Sequence, residues 1–146
     1  MKKNILILAV IFIIIILVII INFKVNDLEN YEIRKFNSEY EFYNKDDLNG
    51  INITTLINKA TNNNEKYGIP KDENGNYILD DDYSIEIYVV LYDEKETKTF
   101  EMERFNKMGL EGFTNAFATA TFKCTNVKYH ENTGRVASMF FEVENY

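Results

Sequence analysis

The longest uninterrupted apolar segment of the chain is Ile5–Phe23, which reads "ILILAVIFIIIILVIIINF". It contains no charged residue, and its only polar side chain is Asn22. As a helix, its 19 residues would span about 28 Å, close to the hydrocarbon thickness of a bilayer. A cleavable signal peptide has a shorter apolar core and a small-residue cleavage site, and "INFKVND" at the junction offers no such site. The pattern predicts an uncleaved transmembrane anchor within residues 1–23.

The charged residues on either side of this segment predict its orientation. Lys2 and Lys3 precede it, whereas Lys24 on the other side is followed by three acidic residues before the next basic one. Lysine and arginine concentrate on the cytoplasmic side of membrane spans. We therefore expect a single-pass protein of the cell membrane, with a short cytoplasmic N-terminus and with residues 24–146 outside.

A helical period continues beyond the apolar segment. Apolar and aromatic side chains recur every three or four residues, at Ile33, Phe36, Tyr40 and Tyr43, and no proline or glycine interrupts residues 4–43. We expect the transmembrane helix to continue as a stalk within residues 24–50. The alternative is an extended linker that ends in a short strand at Glu39–Tyr43.

A second helix is predicted after "KDDLNG" (45–50), which reads as a loop. Asn52 is the expected N-cap, and Ile51 before it is expected to pack against Leu56. The buried stripe of this helix is predicted to consist of Ile53, Leu56, Ile57 and Ala60. A glycine followed by a proline then ends the helix.

Period-two alternation predicts the first strands. The preceding segment 69–84 carries an Asn-Gly pair at its centre and is expected to form a small irregular hairpin. In "IEIYVVLYD" (85–93) one face is apolar and consists of Ile85, Ile87, Val89 and Leu91. The polar "EKE" (94–96) predicts a tight turn into an antiparallel strand, "TKTFEM" (97–102).

Residues 103–120, "ERFNKMGLEGFTNAFATA", return to a helical period. Its two glycines are expected to let this helix approach the sheet closely, although a break near Gly109 is the alternative. Two strands, 122–129 and 136–143, then follow as a hairpin through "ENTG", in which Gly134 supplies a positive φ. The face predicted to meet the helices, through Phe113 and Phe117, consists of Ala137, Met139, Phe141 and Val143.

Together these elements predict an α+β protein in which residues 51–146 form an antiparallel sheet of about four strands with two helices. The chain after the apolar segment carries 14 basic and 23 acidic residues, a net charge of −9. Such a surface does not attract nucleic acid or anionic lipid headgroups, so we expect no nucleic-acid partner. A single cysteine cannot form an internal disulfide, so the fold depends on its core.

The only cysteine and the only histidine, Cys124 and His130, are the first candidates for chemistry. Alternation places both on one face of the predicted strand, about 20 Å apart. A nucleophile and its base must lie within about 3 Å of each other, so we predict no catalytic pair. Cys124 is expected to be a small core side chain, and His130 a solvated residue at the turn.

The acidic residues Asp72, Glu73, Asp80, Asp81 and Asp82 raise the possibility of a calcium loop. In "DENGNYILDDDY" (72–83) the sixth position, which should be glycine, and the twelfth, which should be glutamate, are both tyrosine. The segment 72–82 therefore reads as a solvated loop, with weak calcium binding as the alternative. We assign no catalytic, cofactor-binding or metal-ligating residue, expect no cofactor, and expect no enzyme.

The segment "FNSEYEFYNKDDLNGINITTLINKATNNN" (36–64), placed after an N-terminal anchor, resembles small single-pass proteins of Gram-positive bacteria that carry an outer α+β domain. This resemblance implies a membrane-anchored binding or assembly module of the cell envelope with a protein partner. A long apolar helix before an antiparallel sheet is also similar to pilins and pseudopilins. That family needs a glycine before its apolar segment and a glutamate near its start, and "MKKNILIL" has neither.

Overall fold

The first element is one long helix in the computed structural model, which describes residues 2–92 and 97–145. Helix α1 (Lys2–Glu41) runs through 40 residues without interruption, or about 60 Å at the usual rise per residue. The prediction that the helix continues past the apolar segment is confirmed. The alternative of a strand at Glu39–Tyr43 is wrong, because the aromatic side chains keep their helical spacing and the helix ends only at Glu41.

The chain separates into two compact units, one that ends at Lys35 and one that begins at Phe36. Among the described residues, one segment, Val10–Glu41, is long and apolar enough to cross a membrane. None of its most apolar stretch is buried. In the second unit, Tyr40 in the last turn of α1 and Tyr43 in the turn that follows are buried in the core, which agrees with the predicted aromatic stripe.

The predicted loop 45–50 contains a short strand, β1 (Leu48–Asn49), which pairs with Phe122 and Thr121. Helix α2 (Gly50–Lys66) follows directly, and its N-cap is Asn49, not Asn52. Asn52 instead occupies the third helical position and completes a capping box with Asn49.

Ile51 is exposed and does not pack as predicted, whereas Leu48 is fully buried at the position before the N-cap. The predicted buried stripe of α2 is confirmed, since all four of its members are at most 1% exposed. The sequence therefore predicts the start of α2 three residues too late.

The sheet has five strands in the order β1-β4-β5-β2-β3. The remaining strands are β2 (Glu86–Tyr92), β3 (Thr97–Glu101), β4 (Thr121–Tyr129) and β5 (Val136–Asn145). The predicted antiparallel pairs β2–β3 and β4–β5 are both present. The fold is α+β as predicted, but the sheet is mixed, because β5 lies beside β2 in parallel, so the prediction of an antiparallel sheet of about four strands is met only in part. The predicted turn at 94–96 lies outside the described residues.

The segment predicted as one helix is two, α3 (Met102–Met108) and α4 (Leu110–Ala116). They are separated by Gly109, which has φ +80° and ψ 150°, so the alternative of a break there is confirmed. Close approach to the sheet does not explain either glycine. A Cβ added at Gly109 would meet nothing within 4 Å, and one at Gly112 would meet only the Met108 side chain.

The helix-facing side of the sheet carries the core. Met139, Phe141 and Val143 are buried as predicted. Ala137 is only half-buried and Val136 takes its place in the core, because the pairing with β4 is irregular at this end. The rings of Phe113 and Phe117 contact Phe122 of β4, with centroids 6.2 and 5.9 Å apart.

Candidate functional site

The strand that carries Cys124 does not keep one face through to His130. Cys124 pairs with Phe141, but Asn126 pairs with Phe140, so Thr125 is an extra residue in a bulge. Val127 rather than Asn126 therefore follows Cys124 on the core side, and the predicted continuous face is wrong. Cys124 itself is half-buried and packs against the core, and this burial raises the pKa of its thiol.

His130 is buried, so the prediction of a solvated residue is wrong. Its Nε2 lies 2.7 Å from the carbonyl oxygen of Ser84, and its backbone N–H donates to the carbonyl of Arg135 at 2.9 Å. The imidazole thus links the hairpin turn to the start of β2. Its ring bond to a main-chain carbonyl gives it a structural role here.

Two of the acidic residues in 72–82 hold turns together. The Asp72 Oδ1 accepts the backbone N–H groups of Asn74 and Asn76, at 2.9 and 2.8 Å. The bond from Asn76 contributes most to lowering the pKa of Asp72. The predicted hairpin is present, with an isolated bridge between Lys71 and Tyr77 and with Gly75 at φ +82°.

Asp80 closes the second turn, because its Oδ1 accepts the N–H groups of Asp82, Tyr83 and Ser84. Burial alone would raise the pKa of Asp80, but these three bonds outweigh it and lower the pKa. Across the described residues, no group of three or more His, Cys, Asp or Glu side chains is arranged to hold a metal ion.

Two buried carboxyl groups lie elsewhere, where β2 and α3 meet. Glu86 and Glu103 are 3% and 4% exposed. The Glu86 Oε1 accepts the backbone N–H of Met102 at 2.9 Å, and the Glu103 Oε1 accepts that of Tyr77 at 3.0 Å. These two carboxyl groups therefore join three segments: the strand β2, the first turn of α3, and the connection 69–84.

The position of Glu86 follows from the sheet register. Tyr88 pairs with Glu101, the last residue of β3. Two further pairs in this register would set Glu86 opposite Glu103, but the chain turns into α3 at Met102. The Glu86 carboxyl consequently accepts the backbone N–H of Met102, the first residue of α3. This N–H group has no partner within the helix.

Burial dominates the electrostatics of Glu86. It raises the pKa of this carboxyl to about 8, the Met102 N–H opposes the rise, and the nearby charges of Glu103 and Glu101 add to it. The Glu103 Oε2 is buried and has no hydrogen-bond donor among the described residues. Two charges in so dry a place would be costly, so a neutral Glu86 fits the site.

Glu103 also lines a cleft of about 500 Å³, together with Asn76, Thr99, Phe100, Glu101, Arg104 and Lys107. The Arg104 guanidinium lies 4.3 Å from the centre of the Phe100 ring. The Lys107 Nζ donates to the Asn76 Oδ1 at 3.2 Å. Side chains of both charges and one aromatic ring thus surround a concave surface. We refer to it below as the Glu103 cleft.

A second cleft, of about 440 Å³, lies beside the hairpin turn and is lined in part by Lys128, His130 and Asn132. His130 and Ser138 in its lining are buried, and the His130 ring already has a hydrogen-bond partner. The Glu103 cleft differs because a carboxyl oxygen there lacks a donor. A cleft beside buried carboxyl groups is a candidate functional site, and this is the one that we select.

Sequence reasoning missed Glu86 and Glu103. In the sequence, Glu86 alternates with the apolar Ile85 and Ile87, and Glu103 is the first residue of the predicted helix 103–120. No pattern in the sequence marks either as buried. Comparisons with protein-family models, curated proteins and solved structures found no match, so the interpretation of the Glu103 cleft rests on its own residues.

Proposed function

We propose that the chain is a membrane-anchored binding or assembly module of the bacterial cell envelope, with no catalytic activity. The observation that carries this proposal is the exposure of the apolar part of α1. Every residue from Ile11 to Ile21 is 41–65% exposed. A continuous apolar surface of this kind is unfavourable in water, and a bilayer is the environment that matches its length.

The proposed orientation places the N-terminus inside and the compact unit outside. Lys2 and Lys3 before the apolar segment favour it. The net charge of −9 after the segment supports a solvated domain that anionic membrane lipids repel. We assign the Glu103 cleft as the contact region for a protein partner, since it is concave and presents charges of both signs beside an aromatic ring.

The topology is tested by adding protease to intact protoplasts that make the full chain. We expect digestion of residues 24–146 and recovery of the apolar segment in the membrane fraction. A chain with a cytoplasmic tag at residue 1 serves as the control, because that tag should stay intact until the membrane is dissolved. Protection of residues 24–146 would contradict the orientation, and a mature form that starts after Phe23 would contradict the anchor.

The contact region is tested by placing a photo-crosslinking amino acid at Thr99, in the Glu103 cleft, and at Asn132, in the second cleft. We expect light-dependent adducts with one envelope protein from Thr99 only. Equal adducts from both positions, or adducts from Asn132 alone, would contradict this assignment. Purified full chain with the same substitutions should give the same thermal melt, which shows that the label has not disturbed the fold.

A second candidate is a pilin-like or pseudopilin-like subunit. The observation that favours it is the unbroken path of α1, which continues past the end of the apolar segment at Phe23 and reaches Glu41 in the second unit. Such a subunit would be processed at its N-terminus and would appear in filaments sheared from the cell surface. An unprocessed chain that stays in the membrane fraction after shearing would favour the anchored module.

A further inference from the structure

We propose that Glu86 carries a proton and donates it in a hydrogen bond to the buried Oε2 of Glu103, which lacks another donor among the described residues, and that this hydrogen bond keeps the first turn of α3 and the connection 69–84 closed against β2. With this hydrogen bond, the conformation of the domain would depend on the pH outside the membrane. It goes beyond the proposed binding role and does not depend on which partner is bound.

The hydrogen-bond pattern supports a shared proton. One oxygen of each carboxyl already accepts a backbone N–H, from Met102 at 2.9 Å and from Tyr77 at 3.0 Å. The remaining oxygen of Glu103 is buried and has no donor among the described residues. Protonated Glu86 can supply that donor through its O–H group, and a hydrogen bond from a hydroxyl to a carboxylate is among the strong ones.

The surrounding charged groups do not neutralise the pair. On β3, Glu101 adds negative charge. On α3, the Arg104 guanidinium stacks on Phe100 and the Lys107 ammonium binds Asn76. On β2, Tyr88 has its pKa raised, first by burial and then by Glu86, Glu101 and Glu103, so it stays neutral. Among the described residues, neither Glu86 nor Glu103 forms an ion pair, which leaves the proton as their only counter-charge.

Loss of the proton would leave negative charge on two carboxyl groups that are only 3% and 4% exposed. Their repulsion and the cost of burying them would favour opening of the contacts that hold them. The contacts at risk belong to Tyr77 and Met102, both buried. Since burial raises the pKa of Glu86 to about 8, the opening should occur in mildly alkaline solution rather than near the usual range of a carboxyl.

The test is hydrogen–deuterium exchange of the full chain in detergent micelles, followed by mass spectrometry. After correction for the intrinsic rate, protection of peptides from 70–80 and 101–108 should fall about tenfold or more between about pH 6 and about pH 9. Peptides from β4 and β5 should change far less. Glu86→Gln keeps an amide donor and an acceptor without charge, so its exchange in both segments should stay nearly constant.

Glu101→Gln is the matched control, because Glu101 is exposed at the end of the neighbouring strand, and it should keep most of the wild-type response. Equal pH responses in the wild type and in Glu86→Gln would overturn the proposal, as would a wild type with no response. If Glu86→Gln does not fold, Glu103→Gln and a ¹³C titration of the glutamate carboxyls in the wild type replace it. A Glu86 carboxyl that titrates near its ordinary value of 4.5 would also overturn the proposal.

Discussion

Tyr88 and Phe140 stack face to face across the parallel strands β2 and β5, with ring centroids 4.6 Å apart and ring planes within 11°. The two residues are paired in the register of these strands. On the opposite face of the sheet, the next pair is Val89 with Phe141, and both are fully buried. The central strand pair is therefore held on both faces, by a half-buried aromatic stack and by a core contact.

The two phenylalanines should differ in their effect on stability. Phe141→Ala should lower the free energy of unfolding by about 3–4 kcal/mol, because it leaves a cavity in the core. Phe140→Ala removes a half-buried ring and its stack, and should cost clearly less, about 1–2 kcal/mol. Urea unfolding of the full chain in micelles, followed by the near-ultraviolet circular dichroism of its tyrosines, measures both. A larger loss from Phe140→Ala would mean that β5 faces the other way.

Asn64 should be the most sensitive polar residue of α2. Its side chain is fully buried, donates to the carbonyl of Ile85 at 2.8 Å and accepts the N–H of the same residue at 2.7 Å. Asn64→Ala leaves both backbone groups without partners, so we expect a loss of about 2–4 kcal/mol. Asn62→Ala on the exposed side of the same turn should change stability by less than about 0.5 kcal/mol. Equal losses of stability from Asn64→Ala and Asn62→Ala in urea unfolding would contradict the role of Asn64 as the partner of Ile85.

Gly134 tests the hairpin through its backbone alone. Its φ is +66°, and a Cβ at this position would meet nothing within 4 Å. Gly134→Val should therefore cost about 1–2 kcal/mol from backbone strain, without any steric clash. Gly134→Asn should cost less, since asparagine adopts this conformation more readily. Thermal melts of both variants test this prediction. A Gly134→Val variant as stable as Gly134→Asn would contradict the positive φ at this position of the hairpin.

His130 should matter more than Cys124, contrary to what the sequence predicts. His130→Ala removes the ring that bonds the buried Ser84 carbonyl, and should cost about 1–3 kcal/mol. Cys124 is half-buried, and its thiol makes only a long contact, 3.7 Å, to the Asn126 carbonyl. Cys124→Ser should cost about 1 kcal/mol or less. The reverse order in urea unfolding would show that the His130 bond contributes little.

Stability should fall as the pH rises from about 4.5 to about 8. Folded Glu86 keeps its proton up to a pKa of about 8, whereas the unfolded side chain loses it near 4.5. Within this range the folded chain binds more protons, so raising the pH favours unfolding, by at most about 1.4 kcal/mol per pH unit. Below a pH of 4.5 the Glu86 carboxyl does not change the stability, and above a pH of about 8 the loss of stability that it causes levels off.

Urea midpoints of the wild type and of Glu86→Gln, measured across this range, check the slope. The Glu86→Gln variant should lack most of the slope of stability against pH. Asp72 and Asp80 act in the opposite direction, because their lowered pKa values give stability that is lost only as the pH falls below their ordinary value of 3.8. A slope of the same size in the variant would assign the pH dependence to other groups.

The pattern of apolar residues predicts most elements of this fold, because helices and strands repeat with periods that the sequence displays. The stripe on α2 and the alternation in β2 both depend on neighbours within the same element. The order of the strands does not depend on neighbours within one element, so the parallel contact between β2 and β5 could not be predicted from alternation. The bulge at Thr125 was missed for a related reason, since one inserted residue leaves the local composition unchanged.

The candidate site is harder to predict than the fold. A glutamate at a polar position of β2 looks solvated, and only the turn of β3 into α3 covers Glu86. The same holds for His130, whose burial depends on Ser84, 46 residues away in the chain. The sequence predicts a solvated His130 and does not mark Glu86, because alternation describes each strand by itself. Their environment is created by segments that meet only in the folded domain.

The place of β5 has a consequence for the time at which the domain can form. β5 follows every other described strand in the chain, yet it lies between β4 and β2 in the sheet. Until residues 136–145 join the sheet, the β2–β3 hairpin and β4 have no common neighbour. Such long-range pairing is slow and leaves apolar surface exposed meanwhile. The last strand therefore completes the fold, and apolar surface stays exposed until β5 is in place.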